Sequence, residues 1–156
     1  MAMSDKDTGM PEEAIEMLKA DHQKVRDLFQ QYAAASDQNT QRQIADQVFV
    51  ELETHAQLEE MVFYPAFEEE ADKEGKHLVE EACQEHQEVK TLIAELRGRK
   101  ADEEFDTKFR ELMDNVEHHV QEEESEMFPM AEEILAERNE EIVDEMQEIK
   151  EQLLAS

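Results

Sequence analysis

The chain has 156 residues, of which 43 are Asp or Glu and 15 are Lys or Arg, giving a formal net charge of −28. This excess of negative charge repels nucleic acid phosphates and anionic lipid surfaces, so we expect neither nucleic acid nor membrane partners. Three Gly, three Pro and no Trp, set against abundant Glu, Ala, Leu, Gln and Met, favour an all-α protein with short loops.

The two ends and the cysteine content bear on domain organisation and location. No apolar run approaches the roughly 20 residues of a membrane span, and the opening MAMSDKDTGM lacks the apolar part of a secretion signal. We expect residues 1–10 to be a disordered tail and residues 11–156 to form one domain. The single cysteine, Cys83, excludes an internal disulfide framework, so the cytoplasm is the expected location.

Apolar residues at spacings of three and four predict four long helices and a short C-terminal one. The predicted bounds are Pro11 to about Ala35, about Thr40 to Glu70, near Gly75 to near Gly98, about Glu103 to Ala136, and about Asn139 to Leu154. Short loops make consecutive helices antiparallel. The first four therefore form an up-down-up-down four-helix bundle, on which the fifth helix packs.

Polar side chains interrupt the inward stripes of the four long helices. They comprise one histidine in each of the first and third helices and one His-x-x-x-Glu pair in each of the second and fourth: His22, His55, Glu59, His86, His119 and Glu123. At a rise of about 1.5 Å per residue, the four histidines lie at nearly the same depth in an antiparallel bundle. We expect them to converge on one layer.

The same residues recur in an internal repeat. DHQKVRDLF at residues 21–29 matches EHQEVKTLI at 85–93, and HAQLEEMVFYP at 55–65 matches HVQEEESEMFP at 119–129. Matching positions are 64 residues apart throughout. A helical hairpin that carries His, then His-x-x-x-Glu, then an aromatic-Pro pair thus occurs twice, which predicts a bundle with approximate two-fold character.

Two carboxylates facing a core need compensation. A buried carboxylate costs several kcal/mol even after relaxation, and two in one layer repel each other. A multivalent cation relieves both costs, and His and Glu at i and i+4 share a helix face from which they reach one metal centre. Imidazole and carboxylate without cysteine suit iron or manganese best, with zinc open. The alternative is a metal-free polar layer that sets the bundle register.

The six residues, in this order and spacing and followed by Tyr64-Pro65 and Phe128-Pro129, resemble the H-HxxxE-H-HxxxE members of the hemerythrin-like, or HHE cation-binding, domain family. The resemblance covers roughly residues 11–155. It implies a four-helix bundle holding two non-haem iron ions, linked by carboxylates and an oxo or hydroxo bridge. It also implies that the six residues are the iron ligands.

One departure from the oxygen-carrying hemerythrins bears on function. Those proteins have a fifth histidine one turn before the position of His86, and here that position is Ala82. His77 is off the inward face and His118 lies about 100° around the helix from His119, so neither replaces the missing ligand. The departure argues against reversible O₂ carriage. The resemblance implies instead iron or redox sensing, or peroxide or nitric oxide chemistry.

The expected function is therefore that of a di-iron protein that binds O₂, peroxide or nitric oxide. The binding serves either sensing or a weak peroxidase-, catalase- or oxidase-like reaction, and whether the chain is an enzyme stays open. A non-enzymatic iron-binding or storage module and a metal-free helical interaction protein are the alternatives. The expected partner is a small diatomic or peroxide molecule, and a homodimer is compatible with the sequence.

Several further residues carry predictions. Glu60, Glu124, Arg26 and Lys90 also repeat at 64 residues, which predicts ion pairs that orient the ligands, with surface placement as the alternative. For four aromatic residues, core packing is favoured over walling the site or, for the two tyrosines, donating a hydrogen bond to a metal-bound oxygen; they are Tyr32, Phe63, Tyr64 and Phe128. Cys83 adjoins the inner stripe and is predicted to be a buried small hydrophobe, with oxidative sensing as the alternative.

Overall fold

The computed structural model describes residues 13–155, and the predicted tail at residues 1–10 lies outside them. The described chain is helical apart from short connections, as predicted. Its α-helices are α1 Ala14–Ala34, α2 Gln38–Leu58, α3 Tyr64–Glu70, α4 Lys73–Leu96, α5 Glu103–Glu122, α6 Phe128–Ile134 and α7 Asn139–Ala155. A 3₁₀ turn, Ala136–Arg138, precedes α7.

Three of the long helices begin at an aspartate that caps exposed backbone N–H groups. Asp37 accepts from the N–H of Thr40 at 2.7 Å, and Asp72 and Asp102 do the same for α4 and α5. Such caps satisfy donors that have no partner within the helix. After α4 the chain turns at Gly98, whose φ of 86° falls in the region that favours glycine.

The second and fourth long helices are each interrupted by a π-helical turn, Glu59–Phe63 and Glu123–Met127. The chain is helical through both segments, as predicted, but the π turns within them were not predicted. The N–H of Tyr64 donates to the carbonyl five residues back, at Glu59, and Phe128 does the same to Glu123. The proline that follows in each repeat has no N–H and crowds the preceding turn, which a widened turn relieves. Both turns begin at a predicted ligand glutamate.

The bundle has two apolar clusters, one on each side of a polar layer. The upper cluster is centred on Leu18, Leu58, Phe63, Phe67, Phe128 and Ile142. The lower cluster is centred on Tyr32, Phe49, Leu96, Phe105, Phe109 and Leu112. Helix α1 packs on α2 and α4 on α5, while α7 packs across α1, α2 and the first π turn. In the described part of the chain, no helix is both long and apolar enough to cross a membrane.

Candidate metal centre

The six predicted site residues come together between the upper and lower clusters. His22 comes from α1 and His86 from α4, while α2 and α5 with their π turns each supply one His-x-x-x-Glu pair. All six are buried, with no more than 8% of any residue exposed. The expected convergence on one layer is therefore found, with the glutamates on the upper side and an apolar cavity below the histidines.

Four of the six side chains form a first group of donor atoms, which lie within 4.8 Å of one another: His22, His55, Glu59 and Glu123. The Nε2 atoms of His22 and His55 are 3.1 Å apart. His22 Nε2 lies 3.2 Å from Glu123 Oε1, and His55 Nε2 lies 3.1 Å from Glu59 Oε2. Two imidazoles and two carboxylates thus face a common point.

The second group consists of Glu59, His86 and His119, whose donor atoms also lie within 4.8 Å of one another. His86 Nε2 is 2.9 Å from Glu59 Oε1, and His119 Nε2 is 3.4 Å from Glu123 Oε2. Glu59 is common to both groups, and Glu123 reaches a histidine of each. The carboxylates therefore lie between two pairs of histidines.

An outer carboxylate contacts the Nδ1 atom of every one of the four histidines. The pairs are His22 with Glu124 at 2.9 Å, His55 with Asp21 at 3.0 Å, His86 with Glu60 at 2.7 Å and His119 with Glu85 at 2.6 Å. An ionised carboxylate only accepts, so each Nδ1 donates. In the neutral imidazole this leaves the Nε2 lone pair facing the centre, which is the tautomer that a metal ligand needs.

Cationic side chains hold three of these outer carboxylates. Lys90 Nζ donates to Glu60 at 2.9 Å, and Arg26 Nη1 lies 3.7 Å from Glu124. These contacts confirm the predicted ion pairs. Lys150 of α7 donates to Asp21 at 3.1 Å, a contact between the last helix and the centre that the sequence did not indicate.

Asp21 and Glu85 themselves were missed in the sequence, although a signal was present. Each directly precedes a predicted ligand histidine, and the two are 64 residues apart, so they belong to the repeat. Within the repeat, Asp21 holds His55 as Glu85 holds His119. Acidic residues are so frequent in this sequence that neither of the two stands out by residue type alone.

The electrostatics of the centre favour a cation. Burial lowers the pKa of His55, but the carboxylates of Glu59 and Asp21 outweigh it and raise that pKa to about 10. Burial likewise lowers the pKa values of His86 and His119, but neighbouring carboxylates outweigh this effect and raise both values. For Glu59, burial acts to raise the pKa, and the surrounding histidines hold it well below the usual range. The carboxylates thus attract positive charge into a buried layer.

Two buried carboxylate oxygens, Glu59 Oε2 and Glu123 Oε1, have no hydrogen-bond partner among the described residues. A histidine Nε2 lies 3.1 Å from the first and 3.2 Å from the second, but without the geometry of a hydrogen bond. An unsatisfied buried charged group is costly. A metal ion at this position would be ligated by these oxygens and the facing nitrogens, so the donor set fits a metal.

The Tyr64 hydroxyl lies inside the centre. It donates to Glu59 Oε1 at 3.0 Å and to Glu123 Oε2, and it lies 3.3 Å from His86 Nε2 and 3.5 Å from His119 Nε2. Burial, and then the charges of the two carboxylates, raise the pKa of Tyr64 well above its usual value, so the hydroxyl keeps its proton. Tyr64 packs in the upper cluster, as predicted, and its hydroxyl in addition forms hydrogen bonds within the centre.

The other aromatic residues pack in the core. Tyr32 donates to Asp106 at 2.9 Å and stacks on Phe109, within the lower cluster and away from the centre. Phe128 occupies the repeat position of Tyr64 and stacks on His22, with ring centroids 5.7 Å apart. One half of the repeat thus offers a hydroxyl to the centre and the other half a bare ring.

The remaining predictions about single residues divide. The side chains of His77 and His118 are 66% and 68% exposed, as expected of residues outside the ligand set. Ala82 is buried at the position of the missing fifth histidine. The prediction that Cys83 is buried was wrong. Ala82 takes the inward position, and the next residue is rotated about 100° around the helix toward solvent.

An apolar cavity of about 40 Å³ adjoins the histidine side of the centre. All four ligand histidines line it, together with Val25, Val89, Ile93, Val116 and Val120 of the helices below them. Since a water-sized molecule needs roughly 10–15 Å³, the cavity accommodates very small molecules only. Its lining also includes the partly exposed Glu53 and Lys90, which places one end near the surface.

Comparison with known proteins agrees with this geometry. Residues 13–131 match the family model of the hemerythrin HHE cation binding domain. The chain belongs to this family. Over 118 residues it is 35% identical to an uncharacterized hemerythrin-like protein of Schizosaccharomyces pombe, a match that covers 75% of this chain and 58% of that protein.

Two further proteins are similar. A DNA nickase of Nostoc is 31% identical over 117 residues, which are 72% of this chain and 32% of that protein. The chain thus spans 58% and 32% of the lengths of these two curated relatives. A crystal structure of a hemerythrin HHE cation binding domain-containing protein from Mycobacterium kansasii has the same fold, with a TM-score of 0.76 and 24% identity, covering 90% of this chain and 86% of that one.

Proposed function

We propose that the protein holds two iron ions in this centre and uses them to bind a small diatomic or peroxide molecule. The ligands in this proposal are His22, His55, Glu59, His86, His119 and Glu123. The observation that carries the proposal is the arrangement of the four imidazoles, whose Nδ1 atoms all contact outer carboxylates while their Nε2 atoms face two carboxylates in the centre.

Two donor groups that share a glutamate support two ions rather than one. Imidazole combined with carboxylate suits iron, with manganese and zinc as the alternatives. When bound, iron supplies redox chemistry and positions at which small molecules exchange. The absence of a fifth histidine at Ala82 supports exchangeable positions of this kind.

The size of the cavity supports a small ligand. At about 40 Å³ it suits O₂, nitric oxide or hydrogen peroxide and excludes larger organic substrates. The largely apolar lining of the cavity disfavours iron storage, since aliphatic side chains do not ligate additional ions. A polar layer that only sets the bundle register does not account for the two carboxylate oxygens without hydrogen-bond partners.

The residues of the chain have separate roles in this proposal. Tyr64 holds a proton at its hydroxyl between the two carboxylates, available to a reacting molecule at the centre. The outer carboxylates orient the imidazoles through Nδ1. The apolar clusters above and below keep bulk water away from the layer. The DNA-nicking activity in the name of the Nostoc relative is not extended to this chain, because a net charge of −28 opposes a DNA substrate.

Metal analysis of protein purified from iron-replete cells tests the proposal. We expect about two irons per chain, and visible absorption bands that change on addition of hydrogen peroxide or nitric oxide. Glu59→Gln removes the carboxylate shared by both donor groups and should lose most of the iron, whereas His77→Ala, an exposed histidine, should retain it. Protein without metal would overturn the proposal, and protein with stoichiometric zinc alone would overturn the assignment of iron.

A further inference from the structure

A second group of metal-ligand side chains lies at the surface beside the centre. Glu85, His118 and Glu122 each offer a donor atom, and these atoms lie within 4.8 Å of one another. His118 Nε2 is 3.3 Å from Glu122 Oε2 and 3.9 Å from Glu85 Oε2. His118 and Glu122 also reproduce, shifted by one residue, the spacing of His119 and Glu123. These three residues are called the outer cluster below.

Glu85 connects the outer cluster to the centre. Its Oε1 accepts from His119 Nδ1 at 2.6 Å, while its Oε2 faces His118. A cavity of about 20 Å³ joins the same two places, since its lining includes Glu85 and Glu122 of the outer cluster and His119 and Glu123 of the centre. Of these residues, Glu123 is 3% exposed, and its Oε2 lies 3.4 Å from His119 Nε2, so the cavity reaches a carboxylate and imidazole pair of the centre.

The residue at the position of the missing fifth histidine keeps this cavity open. Ala82 lines the cavity, and its methyl group leaves space that a longer side chain would fill. The same small residue that removes a ligand from the centre thus provides a connection from the centre toward the outer cluster. The space exceeds the roughly 10–15 Å³ that a water-sized particle requires.

The equivalent region of the first half of the repeat, beside Asp21, is closed. Thr54 and Leu58 stand there at the positions of His118 and Glu122, and Leu58 is fully buried in the upper cluster. Helix α7 packs across that side of the bundle, where Lys150 donates to Asp21. Of these two regions, α7 leaves uncovered the one that carries the ligand-type side chains of the outer cluster.

The outer cluster also lacks the Lys or Arg partners that the other three outer carboxylates have. Arg26, Lys90 and Lys150 each lie against one of the other three outer carboxylates. Among the described residues, neither Glu85 nor Glu122 has a Lys or Arg nitrogen within ion-pair distance, and both instead face His118. Two carboxylates and one imidazole without a Lys or Arg partner attract a metal ion.

We propose that the outer cluster captures a divalent transition-metal ion from solution and passes it through the cavity to His119 and Glu123. The inference rests on the proposed function, since it requires a centre that holds metal. One imidazole and two carboxylates form a ligand set that Fe²⁺ accepts. Because the side chains of His118 and Glu122 are 68% and 41% exposed, capture there is weak and transfer inward is favoured.

The rate of iron loading tests this proposal. Metal-free protein is mixed anaerobically with limiting Fe²⁺, the reaction is stopped with a chelator at increasing times, and iron retained by the protein is measured. We expect His118→Ala/Glu122→Gln to load about ten-fold more slowly and to reach the same final iron content and visible spectrum as the unmodified protein. The control is His77→Ala/Glu80→Gln, an exposed His and Glu pair on α4 whose nearest atoms are 3.8 Å apart. It removes the same charge and should load at the unmodified rate.

Each outcome bears on one proposal or the other. An outer-cluster variant that loads as fast as the control overturns the capture site while leaving the centre intact. A variant whose final iron content also falls shows that these residues support the centre itself, which again overturns the capture role. Unmodified protein that retains no iron at any time contradicts the proposed function instead.

Discussion

The two halves of the repeat have the same ligand-type residues, but they differ in the side chains and helices that surround those residues. Each half supplies two histidines, one glutamate and two outer carboxylates in matching positions. The first half has Tyr64 in the centre and α7 packed across the region beside Asp21. The second half has Phe128 and the uncovered outer cluster. Under the two proposals above, the shared residues hold the metal, whereas the differing residues supply a proton and a path for metal entry.

The largest expected effect comes from the two central carboxylates, where the halves should behave alike. Glu59→Gln and Glu123→Gln each remove a charged donor but keep the shape of the side chain. Since losing even a residue that supports a ligand costs 10–100-fold in metal affinity, each substitution should cost on the order of a hundredfold or more. Metal content after dialysis against a weak chelator measures this. Full metal retention in either variant would contradict the equivalence of the two halves.

A smaller effect is expected from the outer carboxylates Asp21 and Glu85. Asp21→Asn and Glu85→Gln weaken the hold on His55 and His119, so each should lower equilibrium iron affinity by about 10–100-fold. Competition with a chelator measures the affinity. The two variants should separate kinetically, because only Glu85 belongs to the outer cluster. Equal loading rates for the two variants would contradict the proposed difference in metal entry between the two halves.

The hydroxyl of Tyr64 distinguishes the halves within the centre. In the metal-free protein, Tyr64→Phe removes a hydrogen bond to buried carboxylates and should lower the free energy of unfolding by about 1.5–3 kcal/mol. Urea unfolding of the metal-free protein measures the change. Metal content should be unaffected, while the response of the loaded protein to peroxide should slow.

A matched exchange sharpens this prediction. Phe128 lies 5.7 Å from the ring of His22, close to the 5.4 Å between Tyr64 and His86. The double variant Tyr64→Phe/Phe128→Tyr should therefore return a hydroxyl to the centre from the other half and recover most of the lost stability. An exchange no more stable than Tyr64→Phe alone would mean that the halves are not interchangeable at this position.

The bundle and the six ligand-type residues were predictable because both follow from a regular spacing of residues in the sequence. Helices of this length repeat their apolar residues many times, and a polar residue such as His55 or Glu59 on the inward face is conspicuous against that background. The 64-residue repeat then doubled every observation. Asp21 and Glu85 follow the same spacing, but an abundance of surface acids concealed it.

Other features do not follow from such a spacing. A π turn changes which carbonyl an N–H reaches without changing which residues are apolar, so the turns at Glu59 and Glu123 were not predicted. The placement of Tyr64 depends on that changed geometry. Lys150 lies outside the repeat, and its contact with Asp21 depends on how α7 packs across the bundle. Periodicity describes single helices well and the contacts between distant helices poorly.

The smallest expected effect is that of Lys150, which belongs to the first half only. Lys150 is 37% exposed in its side chain, so Lys150→Met should change the free energy of unfolding by less than about 1 kcal/mol. Because Asp21 still contacts His55, iron affinity should fall only a few-fold, far less than in Asp21→Asn. The control Lys24→Met breaks an exposed pair with Glu51 at 2.9 Å and should leave iron affinity unchanged. If Lys150→Met instead matched Asp21→Asn, α7 would be a necessary part of the centre, and the two halves would hold their metals by different means.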